Sequence, residues 1–193
     1  MPNLTKKILA ATLKEQLARM PLEKITIKSL VDEAQVSRKT FYYHFQDIYD
    51  LLEWVLVDEG RRILEGRTTV ATWQQGLRSV FDYFQQNRVV ILNIYRSVQQ
   101  NNRLLEHHVA QLVRPMLEQI FEAYPGHERV TPDDRQFILD LYTFGLIELV
   151  LHWIGSGMKP DAASQMERID RLFSGSMYSL IQRCIETRDK PVI

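Results

Sequence analysis

The chain has a single cysteine, Cys184, among 193 residues, which excludes an intramolecular disulfide framework; Cys184 is expected to be a packed helix residue. Metal-ligand spacings are missing too, with no HExxH and no paired CxxC. Glu106-His107-His108 is the one dense patch of such residues. Neighbours on a helix point about 100° apart, so the two histidines cannot easily share an ion. No glycine-rich phosphate loop, nucleophile elbow or Cys/His nucleophile setting occurs. The expectation is therefore no catalytic residue, no metal and no cofactor. No apolar run reaches the roughly 18 residues of a membrane span, and MPNLTKK has no hydrophobic signal core. A cytoplasmic protein without a membrane partner is expected. No strand alternation and no internal repeat is found.

Net charge is also absent, with 24 Lys/Arg against 24 Asp/Glu, which at first argues against a nucleic-acid partner. The distribution answers this. Residues 1–45 hold eight cations and four anions, net +4, and the remainder is net −4. A basic head on an acidic body favours approach to DNA in one orientation.

What is present is a globular composition, 45% hydrophobic and 25% charged, and helical periodicity throughout. Residues 26–52, TIKSLVDEAQVSRKTFYYHFQDIYDLL, are the most informative. Thr26 stands where an N-cap belongs. Ile27, Leu30, Val31 and Ala34 then recur at i, i+3, i+4 and i+7, one apolar helical face. After the turn Gln35-Val36, Ser37 supplies a second N-cap. Phe41 and Phe45 share the inward face of the next helix, which leaves Arg38, Lys39, Thr40, Tyr42, Tyr43 and His44 for the others. Two short helices around a tight turn make a helix-turn-helix, whose second helix enters the major groove. Cations neutralise phosphates or read guanine edges, and hydroxyls donate to phosphate oxygens.

The run KITIKSLVDEAQVSRKTFYYHFQDIYDLL resembles the N-terminal domain of TetR-family transcriptional regulators, with S-R-K-T-F-Y-Y-H-F as its strongest part. The resemblance covers about residues 4–55 and implies an all-helical, two-fold dimer on a palindromic operator of double-stranded DNA. It implies phosphate contacts from Thr26 and Lys28, base or nearby backbone contacts from Ser37, Arg38, Lys39, Thr40 and Tyr43, and a phosphate clamp from Tyr42 and His44. Two positions depart from the family pattern. Gln35 stands where the turn often has Gly, and Ile48 where a Lys is common. The segment FGLIELVLHWIGSGMKPD resembles, more weakly, the regulatory domain of the subgroup that includes activators of dihydroxyacetone kinase operons. Members of that subgroup can act through a protein partner.

The expected architecture is all-α with about nine helices: a helix-turn-helix DNA-binding domain over residues 1–46 and a helical effector-binding and dimerisation domain over 47–193. Helices are expected over about 3–20, 26–34, 37–45, 47–66, 72–86, 87–98, 102–124 (kinked at Pro115), 131–156 and 160–187. The segment 137–154 is apolar all round, the mark of a helix buried all round. In so small a domain this points to a homodimer with Tyr142, Gly145, Leu149, Trp153, Phe173, Met177 and Leu180 at the interface. Tyr83, Tyr95, Arg96, His107, Phe121 and Trp153 are the candidate liners of a small-molecule pocket. The function expected is a regulator, by family default a repressor released by a small-molecule effector. The alternatives are an activator controlled by a protein partner, an enzyme, and a helical interaction protein without DNA binding.

Overall fold

The computed structural model describes residues 2–69, 71–98 and 102–189, with the side chains of 2, 3, 98, 102–108, 112, 188 and 189 left aside. Among the described residues every regular element is helical: α1 (Pro2–Leu17), α2 (Ile27–Glu33), α3 (Arg38–His44), α4 (Ile48–Leu64), α5 (Trp73–Gln86), α6 (Arg88–Val98), α7 (Asn102–Glu122), α8 (Pro132–Gly155), α9 (Ala162–Phe173) and α10 (Ser176–Asp189). The last two share the single segment expected over 160–187. A break at Ser174-Gly175, where Gly175 has φ +75°, separates them.

Helix starts follow local chemistry. Thr26, Ser37, Asp47, Thr131 and Asp161 each accept a backbone N–H of the first turn of α2, α3, α4, α8 and α9, satisfying one of the donors a helix start leaves orphaned. Pro132 at the first position and Asp133 and Asp134 behind it reinforce α8. α1 stops at Leu17 rather than Met20. Pro21 disfavours helical backbone in the residue before it, and the chain passes into a 3₁₀ turn, Leu22–Lys24, that buries Leu22. α7 runs through Pro115 as one helix.

Two apolar cores result. The first joins Leu9, Leu13 and Leu17 of α1 to Leu30, Phe41 and Phe45, and continues into α4 through Leu51, Leu52 and Val55 and into α6 through Ile94. The second is built from α5 to α10 around Phe81, Phe121, Leu139, Trp153 and Ile181. Polar ties cross between head and body. Asn93 on α6 donates to the Leu17 carbonyl at 2.8 Å. The Ser97 hydroxyl accepts from the Leu22 N–H at 3.2 Å. Lys14 on α1 meets Glu59 on α4 at 2.9 Å.

The structure places the residues of both lists as follows. Trp153 is 1% exposed, stacks edge-on against Phe81 at 4.7 Å and donates its indole N–H to the Pro160 carbonyl at 2.6 Å. Tyr142 and Met177 are likewise buried in the protomer's own core, and Phe173 and Leu180 pack half-buried on it. Tyr142 and Trp153 take the inward side of α8, and Phe173 of α9 with Met177 and Leu180 of α10 pack against the same core. Only Gly145 and Leu149 of the expected interface stand on the open side. They lie beside Phe137, Leu141 and Phe144, which are 70%, 54% and 57% exposed. A Cβ added at Gly145 would meet nothing. By length and composition α8 is apolar enough to cross a membrane, although Asp140 and Glu148 interrupt its apolar run; half of that stretch is buried inside the body.

The expected pocket liners stand in different settings among the described residues. Phe121 is fully buried core. The Tyr95 hydroxyl packs so tightly against the last turn of α8 that a Cβ on Gly155 would lie 2.6 Å from it. Arg96 is exposed. His107 falls on α7 among the side chains left aside. Tyr83 is among the residues that line a cavity of about 90 Å³, between α1 and the body.

Candidate nucleic-acid interface

The head is organised to hold α3 with one face fixed and the others bare. Phe41 is fully buried and Phe45 nearly so, their rings 6.0 Å apart, and they anchor α3 on α1, α2 and α4. Ser37 caps α3 by accepting from the Thr40 N–H at 3.0 Å, and its hydroxyl lies 2.7 Å from that of Thr40. Upstream, Thr26 and Ser29 form a reciprocal capping box: the Ser29 N–H donates to the Thr26 hydroxyl at 3.0 Å, and the Thr26 N–H reaches the Ser29 hydroxyl at 3.2 Å. A capping box satisfies two orphan donors at once. The turn between the helices bends at Gln35, whose φ of +54° is left-handed. That is the conformation for which Gly is the ordinary choice, so the departure noted in the sequence sits at a conformationally costly point. The Val36 N–H closes the turn on the Val31 carbonyl at 3.0 Å.

Away from the anchors α3 is bare. Arg38, Lys39, Tyr42 and Tyr43 are exposed, Tyr43 to 79%, while Thr40 and His44 are half-buried. Arg38 lies over the Tyr42 ring at 5.7 Å and donates towards its hydroxyl at 3.4 Å. The guanidinium is thus pre-aligned while keeping donors free. Tyr43 and His44 meet edge-on at 4.9 Å. Thr26 and Lys28 are exposed at the start of α2. All nine residues expected to meet DNA therefore belong to α2, α3 and their N-caps. Ile48 is half-buried and packs on the head core, so α4 opens without the cation common at that position.

One residue of this assembly escaped the sequence reading. Gln16 is 2% exposed and bridges α1 to α2, donating to the Ser29 carbonyl at 3.2 Å and to Glu33 at 2.7 Å. Glu33 also pairs with Arg19. The Gln16 hydrogen bond, and then that of Arg19, hold the Glu33 carboxyl below the ordinary carboxylate value. The available signal was register: Gln16 falls on the stripe of Leu9 and Leu13, where a polar residue needs a partner.

The pattern described as "Bacterial regulatory proteins, tetR family" matches residues 8–55. A second, "Transcriptional regulator C-terminal region", matches residues 71–175. The HTH-type dhaKLM operon transcriptional activator DhaS of Lactococcus lactis subsp. lactis (strain IL1403) is 24% identical over 92 residues, 48% of this chain and 49% of that relative. The match thus spans about half the length of that curated relative. A solved structure of a dihydroxyacetone kinase operon activator DhaS shares the fold. Its TM-score is 0.63 at 16% identity, over 93% of this chain and 97% of that one.

Proposed function

Because the chain belongs to the tetR family of transcriptional regulators, we propose that it binds a palindromic operator as a two-fold dimer, each protomer placing α3 in one major groove. The observation that carries this reading is the exposed face of α3. Arg38, Lys39 and Tyr43 project from a helix locked by Phe41 and Phe45, and contacts to base edges need a rigid platform of this kind. Thr26, Lys28, Ser37 and Thr40 supply donors to backbone or bases, and Tyr42 and His44 to phosphates. We place the division of the chain at 46/47, with α4 carrying the head core's apolar stripe into the body.

The exposed apolar face of α8, formed by Phe137, Leu141, Phe144 and Leu149 beside the open Gly145, is the surface on which the second copy packs. Symmetric two-fold pairing is the commonest assembly, and it sets the two recognition helices about 34–36 Å apart, one turn of DNA. An effector that favours another head separation releases the operator and, by linkage, binds less tightly to the DNA-bound form. Release of a repressor by a small molecule is one outcome of such coupling. Activation is the second reading, favoured by the relative named as a transcriptional activator; the place of the operator relative to the promoter decides between them. No part of this reading calls for a reaction, and the protein acts as a regulator rather than an enzyme, at work in the cytoplasm.

A shift assay with genomic fragments, run beside sedimentation of the free protein, tests the reading. A discrete complex containing two protomers is expected. A folded monomer that shifts no fragment would leave a helical interaction protein.

A further inference from the structure

The cavity between α1 and the body is apolar at every side but one. Leu17 of α1, Val55 of α4, Ile94 of α6 and Val113 of α7 are among its walls, and Lys14, Glu59 and Tyr83 form its polar end. Lys14 pairs with Glu59 at 2.9 Å and lies 5.7 Å over the Tyr83 ring. Burial, and then a hydrogen bond to Glu59, push the Tyr83 hydroxyl above the ordinary tyrosine value. These three side chains come from α1, α4 and α5, so one contact ties the head, the connecting helix and the body. The ties of Asn93 and Ser97 to the end of α1 and the 3₁₀ turn are a second attachment of head to body. Any change in the seating of α1 changes the cavity's shape.

We propose that this seam cavity binds a small, uncharged aliphatic alcohol, and that the Lys14–Glu59–Tyr83 contact transmits its occupancy to the head. The inference rests on the DNA-binding reading only for its second half. Size sets the first limit. A dry cavity of about 150 Å³ holds benzene, so about 90 Å³ suits a compact molecule of about that size or less. Charge sets the second. Lys14 and Glu59 already balance each other, so a carboxylate would face Glu59 and an ammonium would face Lys14, each desolvated by the walls. A single hydroxyl fits both when it inserts between them, accepting from Lys14 and donating to Glu59. Bridged through the hydroxyl, the two groups move apart and α1 loosens from α4.

The test uses the full-length protein with cyclopentanol as probe and cyclopentanecarboxylate as its charged counterpart, followed by titration calorimetry and by operator affinity. Saturable cyclopentanol binding is expected, no carboxylate binding, and about tenfold or greater weakening in Val113→Phe, which fills the cavity. Saturating cyclopentanol should change operator affinity in the parent and not in Lys14→Met, which removes the cationic half of the contact. Should Val113→Phe fail to fold, Val90→Phe from another wall takes its place. Absence of saturable binding, equal binding of the carboxylate, or binding indifferent to a folded filled-cavity variant would overturn the site. Binding without any change in operator affinity would overturn the coupling. A chain that binds no DNA at all would count against the proposed function, while the calorimetry would still decide the cavity.

Discussion

At the scale of single residues, α3 divides its side chains between anchoring and reading. Phe41 and Phe45 do the first and carry no sequence information. In the proposed reading Arg38 does the second, and its seat over Tyr42 makes the two roles separable by experiment. Arg38→Ala should weaken operator binding and relax base choice, by about tenfold to a hundredfold for a lost guanine contact. Tyr42→Phe should weaken binding alike on all sequences, since a phosphate contact is indifferent to the base; titrations on operator and mutated operators distinguish them. Gln35 offers a stability test. Its left-handed backbone costs a non-glycine residue about 1 kcal/mol or more, partly offset by the extra freedom glycine has when unfolded. Gln35→Gly should therefore raise stability by roughly 0.5 kcal/mol in denaturant titrations. The caps at Thr26 and Ser37 were legible in the sequence because capping is a short-range effect. Gln16 was not, because its partners Ser29 and Glu33 lie on another helix and only folding brings them within reach.

At the scale of elements, helix starts were legible and helix ends less so. Thr131-Pro132-Asp133-Asp134 announces α8 within four residues. The break between α9 and α10 is marked only by Ser174-Gly175, since the apolar stripe of Ile169, Phe173 and Met177 runs through it unchanged. α9 starts on Asp161, whose carboxylate accepts from the backbone and hydroxyl of Ser164. Those hydrogen bonds, backbone first, hold its pKa below the ordinary 3.8. A depressed carboxylate stabilises the fold above its unfolded pKa, and that contribution is lost as pH falls through the lower folded value. Asp161→Asn keeps the cap, because Asn caps as well as Asp, but removes the titration. Its urea midpoint should fall less steeply on acidification below about pH 4 than that of the parent. A slope equal to the parent's would remove Asp161 from the account of acid sensitivity.

At the scale of the whole molecule, charge and apolar surface are segregated. The head is basic and the rest acidic, and α8 carries the exposed apolar row on the body. That α8 is apolar all round was plain from its composition. Which of its sides meets its own core was not, because Trp153 and Tyr142 are drawn to the interior by Phe81 of α5 and Phe173 of α9, residues far from them along the chain. Leu141→Glu should leave the protomer folded, since Leu141 is 54% exposed, and convert the dimer to a monomer in sedimentation. A Leu141→Glu chain that still sediments as a dimer would move the interface elsewhere. Operator affinity should collapse with it, because paired half-sites are read only by a pair of heads.

In the proposed function the exposed face of α3 reads a paired DNA site. Selection of bound sequences from random double-stranded DNA, at about 0.15 M salt where non-specific phosphate binding is screened, tests it most directly. An enriched palindrome is expected for the parent, and its loss or relaxation in Arg38→Ala. A folded parent that enriches nothing, or an Arg38→Ala chain that enriches the same palindrome equally well, would contradict it.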